Sequence, residues 1–226
     1  MQIGTHHLTP EFLDEFRDGL LRISASQCGE DHFIVRYFEK QAPGFYLDVG
    51  GFHPKRYSNT YMLRTYLGWT GINVDANPAA IELFNRAAPK DINVNAAVDE
   101  HDADVELVVY RGAAHSTIDE SRKQLNSNIE IKTKIKMRTR TLDSIVEEHA
   151  KERAIDFLSV DVEGRDLQAL RSLDLHKTRP RLICIEDHEF VSAQRNREWT
   201  ETQRYMASVG YQFTSHFIVS TMYVPE

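Results

Sequence analysis

The sequence predicts an α/β fold, a mostly parallel sheet with helices on both faces, because short apolar runs alternate with helical patterns. Three runs carry this prediction: "GFYLDVGG", "GINVDANP" and "DINVNAAVDE". Between them, "TYMLRTYLG" and "AAIELFNRAA" repeat apolar residues at helical spacing. Asn59 is a plausible N-cap and Gly68 a stop signal for the first helix, and Asn77 with Pro78 opens the second.

The flanking segments extend the same pattern. Residues 9–25 predict an amphipathic helix, and "DHFIVRYFEK" is either a helix or a strand. We interpret residues 1–226 as a single domain with a helical lead-in at about 9–40.

The middle and the end of the chain add further strands. "DVELVVYRG" and "IEIKTKIKMRTR" indicate strands, with a polar loop at 112–128 between them. A helix capped by Thr141, the buried strand "AIDFLSVDVEG", the helix "DLQALRSL" and the strand "RPRLICIED" follow. One helix ending near Gly210 and two β runs close the chain.

Composition argues against nucleic-acid binding, a disulfide framework and a membrane span. The net charge of −7 over 226 residues disfavours nucleic-acid partners. The two cysteines, Cys28 and Cys184, are too few for a disulfide framework, so we expect reduced thiols and a cytoplasmic location. The N-terminus has no long apolar run, so we expect neither a secretory signal nor a membrane span.

The loop after the first strand favours a cationic ligand over a phosphate. A P-loop is excluded because Phe52, His53 and Pro54 follow the glycine pair Gly50–Gly51, with no lysine at the required place. A dinucleotide loop needs glycines where Phe52 and Lys55 stand. Asp48 would repel a diphosphate and attract an ammonium group, such as that of S-adenosylmethionine.

Asp75 ends the second strand, 25 positions beyond Gly50. An acid at that place typically accepts hydrogen bonds from the two ribose hydroxyls of a nucleoside. Because NAD and S-adenosylmethionine share this ribose, Asp75 predicts an adenosine site without choosing between them.

Five segments together resemble the FkbM family of S-adenosylmethionine-dependent methyltransferases. They are "SQCGEDHFIVRYF", "FYLDVGGFHPKRYSNTYML", "GWTGINVDANP", "RTRTLDSIV" and "IDFLSVDVEGRDLQAL". The resemblance implies a class I, Rossmann-like methyltransferase fold with a seven-stranded sheet whose last strand is antiparallel. It also implies O-methylation, often of a sugar hydroxyl or a natural product. The pair His53–Pro54 departs from the small, acidic or glycine residues common in this loop.

Carried over by position, the resemblance implies a cofactor site. Asp48 and its neighbours form the loop on the methionine side, Asn59 and Thr60 offer helix N–H groups to the carboxylate, and Asp75 binds the ribose. The full set of implied cofactor residues is Asp48, Gly50, Gly51, Phe52, Asn59, Thr60, Asp75, Ala76, Asn95 and Ala96.

Acidic residues at two strand exits supply candidate catalytic groups. "SVDVEG" contains Asp161, and "ICIEDHE" contains Glu186, Asp187 and His188. Parallel strands bring such exits together, so Asp161, Glu186 and Asp187 are candidate Mg²⁺ ligands that resemble the metal site of catechol O-methyltransferase. A metal-free site with Asp161 or His188 as the base fits the pattern equally well.

The predicted function is methyl transfer from S-adenosylmethionine to a hydroxyl of a sugar or small molecule. The loop at 112–128 and residues 190–199 are candidate walls for that acceptor, and a homo-oligomer is possible. Two alternatives remain at this point: an NAD-dependent or nucleotide-sugar oxidoreductase on a similar sheet, and a cofactor-binding domain without catalysis.

Overall fold

The computed structural model describes residues 24–38, 43–111 and 116–226. Most of the predicted N-terminal helix lies outside the described residues, and its last two positions, Ser24 and Ala25, are not helical. The sequence predicts either a helix or a strand for 31–40, and the described part of this segment, 31–38, belongs to helix α1, Glu30–Phe38.

The centre of the molecule is a mostly parallel sheet of seven strands. In sequence order its strands are β1 (Phe45–Val49), β2 (Thr70–Asp75), β3 (Ile92–Asn95), β8 (Phe157–Val160), β9 (Leu182–Glu186), β10 (Tyr211–Phe217) and β11 (Ser220–Pro225). In space the order is β10-β11-β9-β8-β1-β2-β3. Strand β11 runs antiparallel to both β9 and β10. The pairings among β1, β2, β3, β8 and β9 are all parallel. The predicted α/β class with a mostly parallel sheet is therefore confirmed.

Helices cover both faces of this sheet. Successive residues of a strand point to opposite sides, so apolar side chains on each face pack against a separate set of helices. Tyr46 packs in a cluster with residues of α1 and α2, whereas Leu47 packs in a larger cluster with residues of α5, α6 and α9. The remaining helices are α2 (Tyr61–Leu67), α3 (Pro78–Ala87), α4 (Glu120–Leu125), α5 (Leu142–His149), α6 (Asp166–Arg171), α7 (Leu175–Thr178), α8 (Phe190–Asn196) and α9 (Glu201–Ser208). Among the described residues, no helix is both long and apolar enough to cross a membrane.

A second sheet of four strands lies in the middle of the sequence. Its strands are β4 (Ala97–Val98), β5 (Asp104–Tyr110), β6 (Ser116–Thr117) and β7 (Ile131–Arg140), in the spatial order β4-β7-β5-β6. The predicted strands at 104–112 and 129–140 are the antiparallel pair β5 and β7. The predicted loop between them contains strand β6 and helix α4, which Asp119 caps through a hydrogen bond from the Arg122 backbone N–H. This short helix has no buried residue and therefore gives no apolar periodicity to recognise.

Helix ends follow the predicted signals in most places. Asn77 and Thr141 cap α3 and α5 through their side chains, and Gly68 ends α2 in the left-handed conformation. The prediction for Asn59 is wrong: the N-cap of α2 is Thr60, and the Asn59 side chain donates to Ser159 Oγ at 3.1 Å.

The single helix predicted to end near Gly210 is two helices, α8 and α9, separated at Thr200. Thr200 forms a capping box with Gln203, since each side chain bonds the other residue's backbone N–H. The Thr200 hydroxyl also donates to the buried Asp187 Oδ2 at 2.7 Å, which ties the end of β9 to the start of α9.

We predict that Thr200→Ala lowers the free energy of unfolding by about 1–2 kcal/mol, because a helix cap is lost and Asp187 loses a hydrogen-bond donor. Thr200→Ser keeps the hydroxyl and retains most of the stability. Urea unfolding of both variants measures the difference. Equal destabilisation by serine and alanine would show that the lost methyl packing, and not the hydroxyl, matters.

Candidate active site

Two loops meet at the carboxyl ends of β1 and β8, which are neighbouring parallel strands. Gly50 has a φ of +84°, and a Cβ added to it would lie 1.7 Å from the backbone oxygen of Asp161. A side chain is therefore excluded at this position. The close approach brings the glycine loop and the loop after β8 to the same edge of the sheet.

A cavity of about 430 Å³ opens at this edge. Its volume falls in the range of roughly 300–1,000 Å³ typical of small-molecule sites. Asp75 and Asp161 both line it, as does the apolar side chain of Leu107 from the second sheet. Among the predicted site residues, those in the cavity wall are Gly50, Phe52, Asp75, Ala76, Ala96 and Asp161.

The Asp75 carboxylate closes the glycine loop. Its Oδ2 accepts the Phe52 backbone N–H at 2.8 Å, and its Oδ1 accepts the Asn77 backbone N–H at 2.7 Å. Burial raises the pKa of Asp75 to about 6, while these two hydrogen bonds oppose the shift. Each carboxylate oxygen has a further acceptor position, so Asp75 can still bind two hydroxyl groups.

The wall beside Asp75 is small and apolar. Ala80, Ala96, Val98 and Leu107 line it, and all four are buried. Asn95, one of the cofactor residues that the resemblance implies, is not in the wall. Its side chain donates to the backbone oxygens of Asp75 and Ala76 at 2.9 and 3.0 Å and so fixes the exit of β2.

Asp48 lies one layer behind the cavity and is not among its lining residues. Its carboxylate is buried and accepts the Thr60 hydroxyl at 2.7 Å. Burial raises the pKa of Asp48 to about 6, and the bond from Thr60 opposes that shift. Gly51, Asn59 and Thr60 are also absent from the wall.

Asp161, which follows β8, is another acid in the cavity wall. Its Oδ1 is buried and accepts no hydrogen bond within the described part of the chain. Burial raises the pKa of Asp161 well above its usual range, and the neighbouring Glu186, Asp166 and Glu163 add to the effect. An unpartnered buried acceptor is costly, so this oxygen is poised to bind a ligand group.

Asp161 belongs to a group of three acids. One carboxylate oxygen each of Asp161, Asp166 and Glu186 lies within 4.8 Å of the others. Burial raises the pKa of Glu186 to about 8, and Asp166 and Glu163 add to that shift, while Arg122 opposes it. The structure therefore brings Asp161 and Glu186 together as predicted, but Asp166 stands where the sequence predicted Asp187.

Asp187 and His188 are not among the residues that line the cavity. The Asp187 carboxylate accepts the Thr200 hydroxyl, as described above. His188 is exposed, and its Nε2 lies 2.9 Å from Glu186 Oε1. Burial and then Arg122 lower the pKa of His188.

The sequence matches one family of known proteins. Residues 48–213 match the model of the Methyltransferase FkbM domain, which is well over half of the chain. The chain belongs to the FkbM methyltransferase family. No curated protein matches this FkbM methyltransferase, and no solved structure does.

Sequence reasoning missed several lining residues of this FkbM methyltransferase. Gln27 comes from the loop before α1, and Arg56 and Tyr57 come from the turn after the glycine pair. Ser116 and Ile118 belong to the segment predicted as an acceptor wall. The motif "SQCGEDHF" was a usable signal for Gln27, since it lies in a segment that resembles the family. Arg56 had no such signal, because nothing in the sequence shows where an exposed turn residue faces.

We predict that Gly50→Ala destabilises the protein much more than Gly29→Ala. Both glycines have positive φ, +84° and +89°, but an added Cβ at Gly29 meets no atom within 4 Å. Gly29→Ala therefore carries the left-handed strain alone, about 1–2 kcal/mol. Gly50→Ala adds a clash with backbone, so we expect a loss at least about 2 kcal/mol larger, or no folded protein. Chemical unfolding compares the two, and similar losses would contradict the tight contact with Asp161.

Proposed function

We propose that this protein is an S-adenosylmethionine-dependent O-methyltransferase that acts on a sugar hydroxyl. The observation that carries the proposal is that Asp75, at the exit of β2, and Asp161, at the exit of β8, line one and the same cavity. Family membership supports methyl transfer as the reaction. Strand β1 lies between β2 and β8, and two acids at such separate strand exits suit a ligand with a nucleoside at one end and a reacting group at the other.

The sheet supports a class I, Rossmann-like arrangement. The strand order runs outward from β1 through β2 to β3 on one side and through β8 and β9 on the other. The chain order therefore reverses at β1, and ligands of open α/β sheets bind at such a reversal. The antiparallel β11 sits between β9 and β10, as the resemblance implies for the last strand.

The residues of the cavity fit the cofactor. Asp75 has two acceptor positions left for ribose hydroxyls after it has bound Phe52 and Asn77. The small apolar wall of Ala96 and Val98 suits a flat purine ring. The acids Asp161 and Glu163, which follow β8 and line the cavity, suit a positively charged sulfur centre.

S-adenosylmethionine supplies an electrophilic methyl group when it is bound. The protein's own contribution is to align an acceptor hydroxyl, exclude water and take its proton. Asp161 is the proposed base because its buried Oδ1 faces no other donor in the described residues. Its raised pKa makes it a stronger base than an exposed carboxylate, and a cation in the cavity favours its ionised form.

We propose a metal-free reaction, because the other two acids of the cluster are already engaged. Asp166 accepts the backbone N–H groups of Val162 and Gly164 at 2.7 and 3.1 Å. Glu186 contacts Arg122 through one oxygen at 3.3 Å and His188 through the other at 2.9 Å. A Mg²⁺ ion bound by this set would have to compete with the guanidinium of Arg122 for the same carboxylate.

The mouth of the cavity suits a sugar. The rings of Phe52 and Tyr57 stack with their centroids 6.3 Å apart, and Tyr57 is 45% exposed. The Tyr57 ring offers an apolar face and its hydroxyl a polar tip, which matches the mixed surface of a carbohydrate, and the Phe52 ring adds apolar surface. Ser116 adds a hydroxyl on the wall formed by the second sheet.

Two other functions predict different behaviour. An NAD-dependent oxidoreductase would bind NADH, whose fluorescence reports binding directly. A non-catalytic domain would bind S-adenosylhomocysteine but transfer no labelled methyl group to any member of a broad panel of sugars. The family match favours the methyltransferase over both.

We predict that S-adenosylhomocysteine binds with micromolar affinity and that Asp75→Ala weakens this binding more than about tenfold, because hydrogen bonds to a charged group are lost. Isothermal titration calorimetry measures both. Glu82→Ala is the matched control, since this acid is exposed on α3 and lies outside the cavity wall. An absence of binding at about millimolar ligand would overturn the proposed function.

We predict that Asp161→Asn lowers the rate of methyl transfer by about 10²–10⁴, the usual contribution of a general base. The binding of S-adenosylhomocysteine, whose sulfur is neutral, changes little. His188→Ala has a small effect because His188 is outside the cavity wall. Turnover of a labelled methyl donor, with and without EDTA, measures these effects.

The measurement in EDTA distinguishes the metal-free mechanism from a metal-dependent one. Full activity in EDTA supports Asp161 as the base, whereas a loss that added Mg²⁺ restores would assign the acid group to a metal. A larger loss for His188→Ala than for Asp161→Asn would reverse the assignment of the base.

A further inference from the structure

The glycine loop has no backbone N–H groups to spare for a ligand carboxylate. Gly50 and Gly51 both donate to the backbone oxygen of Val74, at 2.8 and 3.3 Å. The Phe52 N–H donates to the Asp75 carboxylate at 2.8 Å. A loop of this type usually binds anions through such groups, but here they hold the loop itself together.

The start of α2 offers no better site for a carboxylate. The backbone N–H groups of Thr60 and Tyr61 donate to Ser58 Oγ at 3.3 and 3.0 Å. Residues 59–67 do not line the cavity at all. The prediction that Asn59 and Thr60 present helix N–H groups to the carboxylate therefore lacks support from the geometry.

Arg56 is the one basic side chain among the described residues that line the cavity. It makes no ion pair within the described part of the chain. Its guanidinium carbon lies 4.7 Å from the centre of the Tyr57 ring, and one nitrogen donates to the Tyr57 hydroxyl at 3.2 Å. A guanidinium has five N–H donors, so most of them remain for a ligand.

The turn that carries Arg56 is fixed from within. His53 Nδ1 accepts the backbone N–H groups of Lys55 and Arg56, both at 3.0 Å. The pair His53–Pro54, which departs from the family pattern, thus forms the turn that brings Arg56 to the wall. Pro54 has no N–H to satisfy, and its backbone oxygen accepts a hydrogen bond from Arg64.

Gln27 reaches the same cavity from the loop before α1. The fully buried Asp31 holds this loop. Its carboxylate accepts the Ser24 hydroxyl, the Ala25 N–H and both the N–H and the hydroxyl of Ser26, at distances from 2.6 to 3.2 Å.

The loop before α1 is also tied to the glycine loop. The Ser58 N–H donates to the Ala25 backbone oxygen at 3.0 Å, which joins the segment of Gln27 to the segment of Arg56. The amide of Gln27 makes no hydrogen bond in the described residues. Its two N–H donors therefore remain for a ligand in the same cavity that Arg56 lines.

Charge decides where a ligand carboxylate can lie. The other ionisable carboxyl groups in the wall belong to Asp75, Asp161 and Glu163. A carboxylate beside any of these would be repelled, whereas Arg56 attracts it and can bind both oxygens. The geometry points to Arg56 and Gln27 as the site that binds the carboxylate of the amino-acid part of the cofactor, with Asp31 as a positioning residue. This inference rests on the proposed function, since it takes S-adenosylmethionine as the ligand.

The test compares two ligands that differ in the amino-acid part. S-adenosylhomocysteine carries the carboxylate, whereas 5′-methylthioadenosine keeps the adenosine and the thioether but lacks it. We expect Arg56→Ala to weaken binding of S-adenosylhomocysteine more than about tenfold, with 5′-methylthioadenosine changed less than about twofold. Gln27→Ala gives a smaller effect of the same kind, about threefold to tenfold. Calorimetry on the full chain measures each affinity.

Two variants control for charge and for structure. Lys55→Ala removes the adjacent cation, which packs over the Tyr61 ring and does not line the cavity, so it should leave both affinities unchanged. Asp31→Asn loosens the loop that carries Gln27, so it should lower the preference for S-adenosylhomocysteine over 5′-methylthioadenosine. A purely structural role of Asp31 would reduce stability without moving that preference.

The outcomes separate this inference from the proposed function. If neither ligand binds the unaltered protein, the proposed function fails. If both bind and Arg56→Ala weakens them equally, or leaves both unchanged, the assignment of the carboxylate site is overturned while the cofactor stands. A loss confined to S-adenosylhomocysteine supports the assignment.

Discussion

The contact between Gly50 and the backbone of Asp161 is the constraint on which the site depends. It exists because β1 and β8 are parallel neighbours in register, with Leu47 beside Leu158 and Val49 beside Val160. The Asp161 N–H continues this register by donating to the Val49 oxygen at 2.9 Å. With no side chain at Gly50, the two loops close on one another and hold the Asp161 carboxylate beside the cavity.

The site concentrates negative charge away from water. Burial raises the pKa of Asp48, Asp75 and Asp166 to about 6 and that of Glu186 to about 8. Folding therefore favours the protonated carboxyls, and their contribution to stability is lost as the pH rises above about 4 and through these raised values. A ligand that is cationic at its centre favours the ionised forms instead. This preference gives a physical reason for a sulfonium donor, and it arises from several acids and not from Asp48 alone.

The sequence was sufficient to predict that two acids at strand exits line the cavity, but it was insufficient to predict which way an acid inside a strand faces. Asp75 is the last residue of β2, and Asp161 directly follows β8. Parallel sheets bind ligands at such strand exits, so position alone predicts both acids as site residues. Asp48 lies within β1, whose residues alternate between faces. Val49 lines the cavity, so Asp48 faces the opposite side, towards Thr60. Asp166 was missed because an acid at the start of a helix is common and carries no signal of its own.

The backbone N–H groups of the glycine loop bond other protein atoms. Specificity for the ligand therefore has to come from side chains outside the strand–loop–helix unit. The loop before α1 is well placed for this part because it is anchored at both ends. Asp31 holds its first half, and Glu30 accepts the Cys28 N–H at 2.8 Å in its second half. Glu30 also accepts the Ser220 hydroxyl of β11 at 3.2 Å. The loop that presents Gln27 is thereby fixed to β11 of the central sheet, so residues 24–30 are a structural part of the proposed cofactor site.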